Sequence, residues 1–567
     1  MKLLGNVFLA FHLVAAVLAA PGPLDSTLWK RADSVTVSLP CGTIIGSSST
    51  VETFNGIPYA DPPVGPLRLK PPKKLSRDLR TFDATGIAAQ CPQMPDAPDA
   101  ALPANATTGQ EDCLTVSVQR PKGTKPSDGL PVLFWIYGGG FEFGSTQTFD
   151  AGNMIEFAAA QNQKFIFVAV NYRVAGFGFL GGIEILRDGS ANLGLLDQRL
   201  GLEWVADNIA SFGGDPEKVT IWGQSAGAIS VFDQMLLFDG NATYNGKSLF
   251  RGAIMNSGSA TPTDPVDCPK AQVVYDTVVE RAGCSGTQDT LDCLRGLPYE
   301  TFFEASNSLP RLLSYSSLAL SYLPRPDGRV LTDSPDVLAR EGRYHAVPMI
   351  MGDQEDEGTI FSFFQTNLTS TEALVDYLSK YFLSHANESQ ITQFVNTYSP
   401  ESPAGSPFRT GDFNEYYSDV YHTGRGFKRL AALLGDTVFT LARRLSIEAM
   451  VEAKPDVPVW SYLNSFQHSI LPFNYSGTAH GSDVVMMFSG TGHPARSSRT
   501  YYFNFLHNLD PNVGVGVGGN GGFLPWPKWT ENKKLLWIQE QHNTLLEDNF
   551  RAESYWYMKE NTEFRYF

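Results

Sequence analysis

The 567-residue chain is poor in positive charge, in cysteine and in long apolar runs. Forty-three Lys and Arg stand against 59 Asp and Glu, a formal net charge of −16, so the clustered cations needed to bind nucleic acid or an anionic membrane surface are missing. The cysteines and histidines show no zinc-type spacing and no calcium loop is present, so no metal or organic cofactor is expected. Beyond the first twenty residues no apolar run is long enough to cross a bilayer. The carboxyl end, Glu553 to Phe567, mixes charges with aromatics, which excludes a tail anchor or lipid-anchor signal. No low-complexity linker interrupts the chain, which argues for one large domain where length alone would suggest several. Gly514-Val515-Gly516-Val517-Gly518-Gly519 has the spacing of a dinucleotide fingerprint, but no strand precedes it and no helix follows, so it reads as a surface loop.

What the chain does have begins at the amino terminus. Met1-Lys2 is followed by an apolar stretch, Leu3 to Ala20, that ends in small residues. This pattern predicts a signal peptide over residues 1–20. Lys30-Arg31 then resembles a dibasic processing site, which would make 21–31 a pro-segment and 32–567 the mature domain. Five sequons, at Asn105, Asn241, Asn367, Asn387 and Asn474, fit an exported glycoprotein. Secretion to the extracellular space is the expected location.

The most informative motif is Gly223-Gln224-Ser225-Ala226-Gly227, which stands where the apolar run Val219-Thr220-Ile221-Trp222 gives way to Ala228-Ile229-Ser230-Val231-Phe232. It reads as a nucleophile elbow: a strained strand-to-helix turn that exposes the serine hydroxyl, with glycines two residues either side to permit close packing. The helix beginning after Ser225 directs its positive dipole end at charge developing near that hydroxyl. Gly138-Gly139-Gly140-Phe141 follows the buried-strand run Val132 to Tyr137. The backbone amides of Gly139 and Gly140, with that of Ala226, form a candidate oxyanion hole.

A serine nucleophile needs a histidine base oriented by an acid, and on this type of elbow the chain order is Ser, acid, His. Among His468, His480, His493, His507 and His542, only His480 lies in a small-residue loop, Ser476-Gly477-Thr478-Ala479-His480-Gly481. The apolar run Val484 to Phe488 follows and offers it an anchor. Four carboxylates compete for the acid, Asp353, Glu355, Asp356 and Glu357, all just after the strand-like run Val347 to Met351. Spacing does not choose among them.

Strand-like runs at Leu133 to Tyr137, Phe165 to Val170, Val219 to Trp222, Ala253 to Asn256, Met349 to Met351 and Val459 to Tyr462 alternate with helical segments. One such segment places Leu202, Val205 and Ile209 on one face. That alternation predicts an α/β fold with a mainly parallel sheet covered by helices on both faces, and sites at the carboxyl ends of the strands.

Taken in order, these motifs resemble those of the type-B carboxylesterase/lipase family of α/β-hydrolases. The resemblance is carried by Phe54-Asn55-Gly56-Ile57-Pro58-Tyr59-Ala60, Glu111-Asp112-Cys113-Leu114, the triple glycine with Phe141, Asn171-Tyr172-Arg173, Phe212-Gly213-Gly214-Asp215-Pro216 and the elbow. It implies an α/β-hydrolase fold and a Ser225, Glu357, His480 triad, because the family's acid is the glutamate of an Asp-Glu-Gly step and its histidine lies in a Gly-x-x-His-Gly loop. It also implies disulfides Cys91–Cys113 and Cys284–Cys293, leaving Cys41 and Cys268 to bridge or to stay as free buried thiols.

The implied activity is hydrolysis of carboxylic esters through an acyl-enzyme on Ser225, on a small-molecule or lipid ester. Pro92, Pro95, Pro98 and Pro103 make the loop from Pro92 to Asp112 a poor amphipathic lid, which favours a carboxylesterase over an interface-activated lipase. The apolar segment Leu309 to Leu323 is the alternative acyl-pocket wall or flap and keeps triacylglycerol lipase as the second reading. Gln224 stands where cholinesterases carry glutamate, and the loop between Cys91 and Cys113 has no tryptophan, so a choline site is not expected. A catalytically silent binding module is the remaining class, disfavoured because every catalytic position is filled.

Overall fold

The computed structural model describes residues 33–95, 109–400, 426–466, 476–519 and 522–562. The expected signal peptide and pro-segment, the sequons at Asn105 and Asn474, His468 and most of the Pro92 to Asp112 loop lie outside the described residues.

Strands form where β-branched and aromatic residues run together. They are β1 (Asp33–Leu39), β2 (Gly42–Ser48), β3 (Val51–Pro58), β4 (Arg80–Asp83), β5 (Thr115–Pro121), β6 (Leu130–Ile136), β7 (Ile166–Val170), β8 (Gly214–Gln224), a small hairpin of β9 (Thr243–Tyr244) and β10 (Lys247–Ser248), β11 (Gly252–Asn256), β12 (Met349–Gln354), β13 (Val459–Ser465), β14 (Lys534–Gln539) and β15 (Asn543–Glu547). All but the hairpin join one 13-stranded sheet in the order β1-β2-β3-β5-β7-β6-β8-β11-β12-β13-β14-β15, with β4 beside β2.

The centre, from β7 through β6, β8, β11, β12 and β13 to β14, is parallel throughout. Every residue of β7, β11, β12 and β13 is buried. That is the signature of strands covered on both faces by helices, and it explains why they read as unbroken apolar runs. The edges of that strand order are antiparallel. β1, β2, β3 and β5 form an antiparallel set joined to β7, and β15 closes the other edge antiparallel to β14. β2 alternates buried and half-buried residues and β15 is largely half-buried or exposed, as strands with one wet face are, which gives a weaker sequence signal, while β5 is buried throughout.

The helix Leu193–Asn208 presents Leu202 and Val205 inward, and Ile209 follows in a 3₁₀ turn, all fully buried. Trp135 of β6 and Trp222 of β8 face each other in register, their rings 4.3 Å apart, and Phe488 packs 5.4 Å from both. This aromatic group fixes the helix Ser482–Ser489 against the middle of the sheet. Gly514 to Gly519 forms turns pinned by the Asn504 side chain, whose amide donates to the Pro511 and Val515 carbonyls.

Cys91 is bonded to Cys113 and Cys284 to Cys293, while Cys41 and Cys268 are both free.

Candidate active site

Ser225 sits between the last residue of β8 and the helix Ala226–Gly240, with φ 58° and ψ −129°. A non-glycine residue held there is strained, and the strain is tolerated because the surroundings determine it. The flanking glycines make that possible. A Cβ on Gly223 would stand 2.2 Å from the Gly227 carbonyl oxygen, and one on Gly227 would stand 2.1 Å from that of Ile136. The turn is held from the neighbouring strand as well, the Ser225 amide donating to the Asn256 carbonyl at 2.9 Å.

At the carboxyl end of β6 the chain passes through Gly139 at φ 105° and Gly140 at φ 62°. The Gly139 carbonyl takes the amides of Glu142 and Phe143, which curls the loop and leaves the Gly139 and Gly140 amides donating to no described group. Ala226, as the first residue of its helix, also has a free amide. Gly140, Ala226 and Ser225 line one cavity together. The N-terminus of the helix and the loop thus meet beside Ser225, where the helix dipole favours negative charge.

The four carboxylates left open by spacing occupy four different environments. Asp353 accepts from Arg443 Nε at 2.8 Å, and Arg443 turns its other nitrogens to Asp548 and Ser461. Burial pushes the Asp353 carboxyl up to about 7 against the pull of Arg443. Glu355 extends pairing between strand ends, its amide donating to Asn464. Asp356 Oδ2 accepts the Thr478 amide at 2.8 Å and so ties down the loop that carries His480. Glu357 lies against His480, Oε2 at 2.5 Å from Nδ1, while its Oε1 accepts the Gln354 amide at 2.7 Å.

His480 is set between Phe361 and Phe439, ring centroids 5.1 and 4.6 Å away. Its Nε2 lies 3.1 Å from the Gln224 side-chain amide. With Gln224 donating to Nε2, the ring's proton is on Nδ1 and is donated to Glu357, the tautomer a general base requires. Among the described residues the Ser225 hydroxyl has no hydrogen bond.

Three of the other described histidines pair elsewhere, while His507 Nε2 is buried with no hydrogen-bond partner among the described residues. His345 pairs with Ser248, His385 with Asp264 and His493 with Asn543.

Several contributors had no motif to announce them. Asn256 receives Trp222 Nε1 and Tyr502 OH on one oxygen and donates to Asp483 Oδ2 at 2.8 Å, three residues beyond His480. Tyr462 OH donates to the same oxygen. Burial pushes the Asp483 carboxyl up to about 6. The signal available was Gly481-Ser482-Asp483 before an apolar run, which reads as a helix start. Phe361 and Phe439 became visible only in three dimensions, as did the contact of the elbow's Gln224 with His480.

From Ser225 a narrow, predominantly apolar cavity runs along the helix Ala226–Gly240, walled by Leu312, Leu318, Leu320 and Leu323. The apolar segment after Leu309 is therefore a pocket wall. Glu142, buried after the triple glycine, accepts the Leu312 amide at 2.7 Å and holds that wall.

Residues 33–557 match the model of the carboxylesterase family. The chain belongs to that family. This carboxylesterase-family member is a carboxylic ester hydrolase, and it is 56% identical to the secreted triacylglycerol lipase LIP1 of Gibberella zeae over 95% of its own length and 92% of the relative's. It is 52% identical to secreted lipase 1 of Botryotinia fuckeliana, covering 97% and 98% of the two chains. Its fold is that of the α/β-hydrolase Aspergillus niger EstA, with TM-score 0.77 at 24% identity over 94% of this chain and 99% of that one. Relatives that are secreted and two disulfides agree with an extracellular enzyme.

Proposed function

We propose that Ser225 is the nucleophile, His480 its general base and Glu357 the acid that orients the base, in the hydrolysis of carboxylic esters. The observation that carries this reading is the Glu357–His480 contact beside a strained serine at the mouth of an apolar cavity. His480 Nε2 leaves Gln224 and takes the Ser225 proton as the oxygen attacks the ester carbonyl. Glu357 stabilises the imidazolium that results.

The amides of Gly139, Gly140 and Ala226 receive the oxyanion, and the alcohol leaves with the proton from His480. Water then attacks the acyl-enzyme with His480 as base again, releasing the acid and restoring Ser225.

The cavity seats the acyl chain, because its leucines offer nothing polar to an alkyl group. Removing one oxyanion donor costs about 10²- to 10³-fold in turnover.

Triacylglycerols are the second reading of the substrate, favoured by the names of the two fungal relatives. Soluble carboxylic esters remain the first, on the proline-rich loop between Cys91 and Cys113. Exposed Asn241, Asn367 and Asn387 support glycosylation at those sequons.

Hydrolysis rates across p-nitrophenyl acetate, butyrate, octanoate and palmitate, below and above their solubility limits, test the reading beside a Ser225→Ala control. A jump in rate on aggregation selects lipase, a smooth curve peaking below the limit selects carboxylesterase, and activity surviving in Ser225→Ala contradicts the mechanism.

A further inference from the structure

Asp233 is the one carboxylate that lines the cavity, and the mechanism above gives it no part. Ser225, Ile229 and Asp233 follow one another at intervals of four and all three line the cavity. Side chains four apart lie one above the other on a helix, so Ile229 and Asp233 form one row along the cavity, with Ser225 at the helix's N-terminal end.

Asp233 is fully buried, and neither Oδ1 nor Oδ2 has a hydrogen-bond partner among the described residues. Its polar neighbours on the same helix are satisfied. Ser230 Oγ accepts from Gln198, and Gln234 bonds Arg199 and the Leu195 carbonyl. The deficit is confined to the position that faces the cavity.

A buried carboxyl without a partner is costly, and a protein interior seldom leaves one so. Burial alone raises the pKa of Asp233 well above the ordinary carboxylate range, with no cation opposing it. Burial without a partner favours the neutral carboxyl, which has one proton to donate and lone pairs to accept. Lys270 also lines the cavity, but its ammonium is held by the Tyr381 carbonyl at 3.0 Å.

We infer that this end of the cavity is a subsite for an oxygenated acyl chain, in which Asp233 hydrogen-bonds a hydroxyl group of the substrate. Eight residues of helix advance about 12 Å, which an extended chain of ~1.5 Å bonds spans in roughly nine carbons. The favoured hydroxyl is thus near the ninth or tenth carbon of the acid. A hydroxyl matches a neutral carboxyl as donor and acceptor together, whereas a second carboxylate would bring an uncompensated charge among leucines. The subsite rests on the reading of Ser225 as nucleophile and of this cavity as the acyl site.

The test is kcat/KM of the full-length secreted enzyme on p-nitrophenyl decanoate and p-nitrophenyl 10-hydroxydecanoate, both below their solubility limits, with p-nitrophenyl acetate as a reference for the chemistry. The hydroxylated ester is expected to be preferred about tenfold or more, since a site built around a hydroxyl discriminates against its absence. That preference should vanish or reverse in Asp233→Leu and survive in part in Asp233→Asn, which keeps hydrogen-bonding capacity. A wild-type preference for plain decanoate overturns the subsite while leaving the ester-hydrolase reading intact. An equal preference in wild type and Asp233→Leu also overturns it. Absence of hydrolysis of all three esters overturns both. Should Asp233→Leu not fold, the wild-type ratio and Asp233→Asn still decide.

Discussion

Asp356 Oδ2 holds the Thr478 amide at 2.8 Å, so the residue just before Glu357 fixes the loop just before His480. Adjacent carboxylates thus hold the two ends of one short loop, one by its backbone and the other by its imidazole. A Cβ on Gly477 would stand 2.1 Å from Asp356 Oδ2, so the glycine permits that approach.

Glu357→Gln is therefore expected to lower kcat by about 10²- to 10⁴-fold with little change in KM, because the base loses its orienting charge while the fold keeps its shape. Asp356→Asn is expected to act through stability instead, costing about 1–3 kcal/mol for a buried hydrogen bond weakened or lost. Steady-state kinetics and thermal unfolding of the two variants separate the roles. Full activity in Glu357→Gln together with loss in Asp356→Asn would reverse the assignment.

Gln224 faces the imidazole at Nε2. Replacing it with glutamate puts a carboxylate where an imidazolium would form and favours that charged state over the neutral ring that accepts the serine proton. The acid limb of kcat/KM is expected to move to higher pH by about one unit in Gln224→Glu. A pH–rate profile reads this directly, and an unmoved limb would mean that Gln224 does not face the working base.

The elbow glycines supply a steric prediction. Gly227→Ala forces a contact at 2.1 Å with a backbone oxygen, whereas an Ala at exposed Gly86 meets nothing within 4 Å. Turnover is expected to fall by at least about 10²-fold in the first through displacement of Ser225 and the oxyanion amides. Gly86→Ala should stay within about 0.5 kcal/mol of wild-type stability. Equal behaviour of the two variants in a kinetic and melting comparison would contradict the geometry.

Glu142 gives stability a pH dependence. Burial raises its carboxyl to about 8 from an ordinary 4.5. The folded state therefore holds a proton that the unfolded chain releases earlier, and the group's contribution is whole below about pH 4.5 and lost as pH rises towards 8. The melting temperature of Glu142→Gln, taken relative to wild type, should climb across that window because glutamine has no charge to bury. A difference that stays flat from pH 4.5 to 8 would show that Glu142 does not titrate there.

Sequence made the centre of the fold plain because its parallel strands are apolar on both faces, as Ile166–Val170 and Met349–Gln354 are. It hid the edges, where β1, β2 and β4 alternate or are largely exposed. Ser225 was legible because a strained turn demands glycines at fixed offsets. The acid was not, since Asp353, Glu355, Asp356 and Glu357 differ only in which distant partner each meets: Arg443, Asn464, Thr478 or His480. Asn256 and Asp483 are 227 residues apart in the chain. No local pattern records such a contact.

The central claim is that Ser225 carries the acyl group. Incubation with a p-nitrophenyl alkylphosphonate, followed by peptide mass spectrometry, tests it most directly. One adduct on the Ser225 peptide is predicted, forming in step with loss of activity and absent from Ser225→Ala. Inactivation with the label on another residue, or hydrolysis undiminished in Ser225→Ala, would contradict the account.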